Sequence, residues 1–588
     1  MNRKAAEGSG FEEKPVWLRN RYLLCLLLFA SAFSIKLFLF FSLSEPLVFY
    51  KYPFFADQIN QGIDIGERIL DLSPLYLYGM VLLQKIYGPN WEAMIVFQLL
   101  TGCITVVFIF LIGEKVFNRA VGFIAAIILL LYGNLVLFEM TLEPESFVLF
   151  FNSLFVLTLL WIKERSLLKP FPWLWLLAGV ILGLSIITKA NALLFLLAAI
   201  VWIFWTVAGK KEKIQYAFLL VLGVSLMVLP VTLRNYIRFH DPVLVTADMG
   251  KVFFHGNGPG ATGLQRADLP EQGFIEESRG EPDYAHVLFR NTARKITGRN
   301  LTPSECSRFW IVQTLGYMKA HLNSALWLFM KKIVFFWLNY EVHDLDSNFA
   351  YYQIIRTWPL IPFGLISSLA MLGMIATRKQ FKQAYWPFIM VFAYWLTILI
   401  FFNASRYRLP AVPFLSLFAA HPIVVIIGYV KNQQVKKGLL LFGTAVVLLL
   451  VTVLPFKEEV AVLDRWQQAT RVHYNLRGNF LFRKGVYDKA IEEYQKAVAL
   501  APFFSPAYNQ MGKSYALLNN LETAEKNFLK VVELSPTVDQ GYMNLGFLYE
   551  LKGNRSKALP FFEKALLLNP GNIKVREQIL KLKKSNLH

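Results

Sequence analysis

AMIVFQLLTGCITVVFIFLIGEKVFNRAVGFIAAIILLLYGNLVLFEMTLEPESF, Ala93 to Phe147, decides what kind of chain this is. Two apolar runs, each long enough to cross a hydrocarbon core of about 30 Å as a helix, are joined by a short basic tip carrying Lys115 and Arg119. They end in TLEPES, where Glu143 and Glu145 stand before a third apolar run. The rest of the 588 residues repeats the pattern: 55% are hydrophobic and 15% aromatic, which excludes an ordinary soluble domain. The expected class is an all-α polytopic membrane protein.

Spans are expected near 22–43, 91–113, 120–138, 145–162, 172–188, 191–207, 214–232, 359–377, 384–402, 409–430 and 437–455. The first follows a polar segment, 1–21, with Arg3, Lys4, Lys14, Arg19 and Arg21. It is too long for a signal-peptide core and lacks a convincing cleavage site, so it is read as an uncleaved anchor with a cytoplasmic N-terminus. From there every second loop is basic: Lys115 and Arg119; Lys163, Arg165 and Lys169; Lys210, Lys211 and Lys213; Arg378, Lys379 and Lys382; Lys431, Lys436 and Lys437. This is the positive-inside pattern, and it accounts for much of the net charge of +20 without a nucleic-acid partner. Counting Asn323–Tyr340 as a span would turn the Arg378 and Lys431 loops outward. That segment is therefore expected to be an amphipathic helix at the outer surface, with Lys331 and Lys332 among lipid headgroups. Eleven spans leave the C-terminus outside, with outer loops 44–90 and 233–358. The three cysteines, Cys25, Cys103 and Cys306, provide no disulfide framework.

The C-terminal part repeats. Gly478, Gly512 and Gly546 are 34 residues apart, as are Ala490, Ala524 and Ala558; Tyr494, Phe528 and Phe562 keep the same step, and Pro502, Pro536 and Pro570 close each unit. This is the tetratricopeptide pattern, in which small residues let paired helices approach and aromatics fill the space between neighbours. Three units fill 472–570 and a Lys-rich stretch, 573–584, is expected to cap them. Such a solenoid offers a binding surface for a protein partner, or serves as a structural cap.

Ala93–Phe147 resembles the membrane mannosyltransferases of glycosyltransferase family 39, and further pieces follow in that family's order. They are SPLYLYGMVLLQKIYG (Ser73–Gly88), LGLSIITKAN (Leu182–Asn191), LPVTLRNY (Leu229–Tyr236), HGNGPGATG (His255–Gly263), FFWLNYE (Phe335–Glu341) and SRYRLPAVPF (Ser405–Phe414). The resemblance implies a GT-C-type transmembrane domain over 22–455, a linker at 456–471 and the repeat domain over 472–588, outside a prokaryotic plasma (inner) membrane. It further implies a polyprenyl-phosphate-linked sugar as donor and a protein or glycolipid as acceptor. Transfer needs a base for the acceptor's proton and cations for the departing phosphate; a single displacement would invert the anomeric centre.

The resemblance assigns Glu145 as an acceptor-side or donor-orienting carboxylate, with Glu143 flanking it. The family's other acid, commonly assigned as the base, would fall around Phe49–Pro53, where this chain has none. Asp57 is the nearest candidate, with Asp64, Glu67 and Asp71 as alternatives. Arg406 and Arg408, Lys189 and Arg234 are the candidate phosphate ligands, since guanidinium forks and ammonium groups suit phosphate oxygens. Asn257 is expected in a loop shaped by its glycines over the site, and Glu341 beside it; His255 is read as structural. GNGPGATG has no Lys-Ser/Thr and is no P-loop. Two carboxylates make a weak cation site, so a divalent ion at Glu143 and Glu145 is an optional cofactor only. Two other readings stand beside the enzyme: a catalytically silent scaffold that recruits envelope partners through the repeats, favoured by the missing acid, and, less well supported, a flippase.

Overall fold

The computed structural model describes residues 20–42, 51–88, 91–166, 171–264, 285–341, 360–453, 474–475, 477–479, 481–482, 485–536, 538–569 and 572–585. The N-terminal segment 1–19 and the linker 456–471 lie outside them. The described residues form two compact units, one up to residue 453 and one from 474 onward. Among the described residues there is no named strand, and one isolated bridge joins Tyr132 to Ile361.

The first unit opens with α1 (Arg21–Ser42), α2 (Lys51–Asn60), α3 (Pro74–Tyr87) and α4 (Trp91–Val116). Then come α5 (Arg119–Leu130), α6 (Gly133–Met140), α7 (Glu145–Ser166), α8 (Trp173–Thr188), α9 (Leu194–Thr206) and α10 (Lys210–Phe239). The outer segment holds α11 (Met249–Asn257), α12 (Ala285–Thr297), α13 (Pro303–Ala320) and α14 (Leu322–Phe335). The unit closes with α15 (Phe363–Thr377), α16 (Tyr385–Ile400), α17 (Val412–Lys431) and α18 (Val435–Val453). Helix occurs at every position where a span is expected. Among the described residues, six helical stretches are both long and apolar enough to cross a membrane: Arg21–Phe41, Ala93–Val116, Glu145–Arg165, Lys210–Phe239, Ser405–Lys431 and Val435–Val453.

The span expected at 120–138 is broken. α5 stops at Leu130, the backbone extends at Tyr132, and the Ile361 amide donates to the Leu131 carbonyl at 2.9 Å. α6 is a separate short helix that ends immediately before TLEPES. Neighbouring helices approach through small residues, since packing rather than hydrophobic exclusion drives association inside lipid. A Cβ added to Gly179 on α8 would lie 2.2 Å from the Leu220 carbonyl oxygen, and one on Gly223 of α10 would lie 2.3 Å from that of Leu176. Gly113 and Gly122 play the same part between α4 and α5, where a Cβ on the first would meet the Cα of the second at 2.5 Å.

Among the described residues, two lysines are buried, where a charge is costly unless paired. Lys36 lies within the first apolar run, fully buried, and pairs with Glu139 of α6 at 2.7 Å. Gly102 makes room for the pair, because a Cβ there would lie 1.9 Å from Glu139 Oε1. Lys332 is not among headgroups: it is buried and donates to Asn257 Oδ1 at 2.8 Å and to the Phe401 carbonyl. Successive residues on a helix point about 100° apart, so Lys331 and Lys332 cannot share one face. Burial pulls the Lys332 ammonium down to about 7.

The second unit contains α19 (Tyr487–Leu500), α20 (Ser505–Leu517), α21 (Leu521–Leu534), α22 (Asp539–Leu551), α23 (Arg555–Leu568) and α24 (Ile573–Ser585). The 34-residue step has a physical cause in each repeat: Gly478, Gly512 and Gly546 face the rings of Tyr494, Phe528 and Phe562. An added Cβ would lie 2.4, 2.5 and 2.6 Å from the nearest ring carbons. Ala490, Ala524 and Ala558 are fully buried beside them.

Candidate active site

The break before α6 and the N-terminus of α7 place TLEPES in a buried turn: Glu143 is 4% and Glu145 1% exposed. Gln98 of α4 holds that turn from below. Its Nε2 donates to the Thr141 carbonyl (2.9 Å), the Glu143 carbonyl (3.2 Å) and Ser146 Oγ (3.2 Å), while its Oε1 accepts from the Tyr76 hydroxyl at 2.7 Å. Tyr76 meets Tyr52 edge to face with centroids 4.7 Å apart, and Tyr52 in turn accepts from the Ser73 amide. Burial, reinforced by Glu143, Tyr52 and Glu145, pushes the Tyr76 phenol well above its usual range, so it stays a donor.

Lys189, at the end of α8, donates to Glu145 Oε1 at 3.1 Å, and its Nζ sits 5.0 Å from the centre of the Tyr407 ring. Arg406 lies over the same ring at 5.1 Å and donates to the Tyr407 hydroxyl at 3.2 Å. Glu145, Lys189, Tyr407 and Arg406 therefore form one cluster from three separate chain segments. Glu145 Oε2 is buried and accepts no hydrogen bond among the described residues.

Arg408 faces away from this cluster. Its Nη1 donates to the carbonyls of Phe336 (3.2 Å) and Leu338 (2.8 Å), and its Nη2 to Tyr340 (3.0 Å) and Glu341 Oε2 (2.6 Å), with the guanidinium 3.5 Å from the Phe363 ring centre. Those four donations leave no fork for a donor phosphate. Glu341 also accepts from Tyr132 and Ser405, so Arg408 and Glu341 tie the helix break to the short turn of helix, Ser405–Arg408, that precedes α17. Arg234 donates to the Tyr78 hydroxyl at 3.1 Å and to its neighbour Asn235. Asn257 donates to the carbonyls of Phe253 and Ile400 and accepts from Lys332, which pins the glycine loop against the end of α16. His255 packs its ring on Phe289, 4.8 Å between centroids.

The acids of the first outer loop separate clearly. Asp57 is half-buried on α2, and burial raises its carboxyl pKa, opposed by the nearby Gln84 amide. Asp64 is exposed and paired with Arg238, and Glu67 is paired with Arg294 at 2.9 Å. Asp71 is buried under a bidentate Arg290, 2.7 and 2.8 Å, and His286 and Arg290 hold its carboxyl well below the usual range although burial alone would raise it. Asp71, Asp248 and His286 offer three ligand atoms within 4.8 Å of one another, a grouping that spacing in sequence did not reveal. Arg290 already engages both oxygens of Asp71, and Lys251 contacts both His286 and Asp248.

The fold and this cluster define a multi-helix membrane protein with an inward carboxylate flanked by cations. Residues 71–233, which contain Glu143, Glu145, Lys189 and Gln98, match the family model of dolichyl-phosphate-mannose-protein mannosyltransferases. Tetratricopeptide models match 474–504, 505–538 and 540–572. The chain thus joins a segment similar to the mannosyltransferase family model to a run of tetratricopeptide repeats. No curated protein matches it. Among solved structures, the oligosaccharyltransferase of Archaeoglobus fulgidus tethered with an acceptor peptide aligns with 12% identity over 81% of this chain and 59% of its own, TM-score 0.45. The oligosaccharyltransferase AglB of Archaeoglobus fulgidus, with an inhibitory peptide and a dolichol-phosphate, aligns with 13% identity over 76% of this chain and 57% of its own, TM-score 0.42. This chain therefore spans under three-fifths of that protein's length. The first tetratricopeptide domain of human RPAP3 aligns with 22% identity over 20% of this chain and 93% of its own, TM-score 0.20.

Proposed function

We propose that the chain is an integral membrane glycosyltransferase that moves a sugar from a polyprenyl-phosphate donor to a protein or glycolipid acceptor at the outer face of the membrane. The observation that carries this reading is the Glu145–Lys189–Tyr407–Arg406 cluster, and the family match over the segment that supplies two of its members supports it. Lys189 and Arg406 would meet the departing lipid phosphate, where fixed positive charge stabilises the transition state. Glu145 would face the acceptor or orient the donor, its second oxygen taking a hydroxyl. Asp57 would take the acceptor's proton, a role that suits a half-buried carboxylate with a raised pKa. Glu143 would flank the donor; Arg234, Asn257, Arg408 and Glu341 would hold the surrounding wall. The transmembrane unit would run over 22–455, with the repeats over 472–588 on the outer side to present the acceptor or a partner.

Mass spectrometry of glycoproteins and lipid glycans from cells lacking the gene, complemented with wild type or with Glu145→Gln, tests this. The reading requires one glycan to disappear and to return with wild type alone. No change in either class would favour the silent scaffold instead.

A further inference from the structure

The outer segment contains a helical hairpin whose two faces differ in chemistry. α13 and α14 are joined at His321 alone, where the backbone leaves the helical region (φ −124°, ψ 50°) and the imidazole lies 4.4 Å from the centre of the Tyr317 ring. On α13, Cys306, Trp310 and Thr314 turn inward, one per turn, with Trp310 packed on Phe254 and Phe289. The opposite face carries Arg308, Val312, Leu315 and Lys319, all exposed. On α14, Lys332 turns inward to Asn257 and Phe401, and Phe335 packs with Leu264 and Leu338. The opposite face carries Leu322, Leu326, Met330 and Val334, again one per turn and all exposed. Trp327 stands beside them, exposed, with Lys331 Nζ 5.9 Å from its ring centre.

The bonds of Lys332 fix the phase of α14, so the apolar stripe cannot turn inward. A contiguous apolar stripe left in water marks an interaction surface. α14 has 14 residues and is about 21 Å long, too short to cross a hydrocarbon core of about 30 Å, which excludes a span. Charge then selects the occupant: from 306 to 340 the chain carries Arg308, Lys319, Lys331 and Lys332 and no acid. Leucine and tryptophan on one face with only cations around them suit a helix lying at the headgroup level of an anionic bilayer.

We propose that the α13–α14 hairpin docks on anionic phospholipid of the outer leaflet. Leu322, Leu326, Met330 and Val334 enter the acyl boundary, and Arg308, Lys319 and Lys331 meet headgroup phosphates. The proposal rests on the reading that places this segment at the outer face, and goes beyond it in naming the lipid.

An environment-sensitive fluorophore would be attached at Leu326→Cys or at Met330→Cys, each with Cys25, Cys103 and Cys306 changed to Ala. The full chain would be placed in phosphatidylcholine nanodiscs with or without phosphatidylglycerol. Both probes are expected to be quenched by doxyl-labelled lipid and sheltered from aqueous iodide, with lipid quenching several-fold stronger when phosphatidylglycerol is present. Changing Arg308, Lys319 and Lys331 together to Gln should erase that dependence and leave the unfolding temperature unchanged. Quenching by iodide alone overturns the docking. Shelter from both quenchers overturns lipid as the occupant, and equal lipid quenching in the two discs overturns the anionic preference. The readout needs no sugar transfer, so a chain that docks but transfers nothing would contradict the enzyme and leave the hairpin in place. An active chain with iodide-exposed probes would do the reverse.

Discussion

Gln98 reaches four groups with one amide, and this makes the Glu143–Glu145 turn dependent on a residue that touches no reacting atom. Gln98→Leu would keep the volume and strand the Tyr76 hydroxyl and two carbonyls in a buried place, at a cost of about 1–3 kcal/mol. The expected result is a lower unfolding temperature and a fall in kcat with the donor KM little changed; unaltered turnover would remove Gln98 from the account. Asp57 yields a second residue-scale prediction. Its folded pKa is raised, so the carboxylate forms at higher pH in the folded chain than in the unfolded one, and its contribution to stability falls as pH rises through that interval. If Asp57 is the base, turnover rises over a limb above the ordinary aspartate value of about 3.9, and Asp57→Asn abolishes it. A profile unchanged by Asp57→Asn would pass the role to another group.

At the scale of elements, α6 is held at both ends of its job: Glu139 is locked by Lys36 of α1, and the turn that follows is locked by Gln98 of α4. Breaking a buried ion pair on one side costs about 3–5 kcal/mol because the remaining charge has no partner. Glu139→Gln should therefore destabilise more than the double change Lys36→Met with Glu139→Leu, which removes both charges; equal losses would mean that the pair is solvated. The same logic applies outside the spans, where Asp71 joins the first outer loop to α12 through Arg290. Its depressed pKa contributes stability above the unfolded value near 3.9 that is lost as pH falls towards the folded one. Acid-induced loosening of this loop, followed by hydrogen exchange, should vanish in Asp71→Asn. Apolar runs and loop charges make the helix positions legible in the sequence, because both are counted along the chain. The broken span is not, because the bridge between Tyr132 and Ile361 joins residues far apart in sequence. Lys36 and Glu139 fail for the same reason: each alone reads as an interruption of an apolar run, and only the fold makes them a pair. Lys332 differs again, since helical phase, not composition, decides which of two adjacent lysines turns inward.

At the scale of the whole molecule, the repeats were readable because glycine, alanine and ring recur at one step and each serves the same contact in every unit. The candidate site was readable in part. Glu145, Lys189 and Arg406 come from motifs quoted in sequence order and meet around Tyr407, a residue the motifs contain but spacing did not single out. Arg408 shows the limit of motif reading: two arginines two residues apart point to opposite tasks, one over the Tyr407 ring and one into the backbone of Phe336–Glu341. The proposed orientation predicts that single cysteines placed in α24 are modified by a membrane-impermeant thiol reagent from outside intact cells, and that cysteines in the Lys210 and Arg378 loops are not. The reverse labelling would invert the topology. The most direct test of the central claim is donor consumption by the purified chain in lipid nanodiscs, comparing wild type with Glu145→Gln for a polyprenyl-phosphate sugar. A fall of about 10²–10⁴-fold is expected with the variant still folded in the nanodisc, a modest drop in unfolding temperature coming from the broken Glu145–Lys189 pair; turnover within a few-fold of wild type would contradict it.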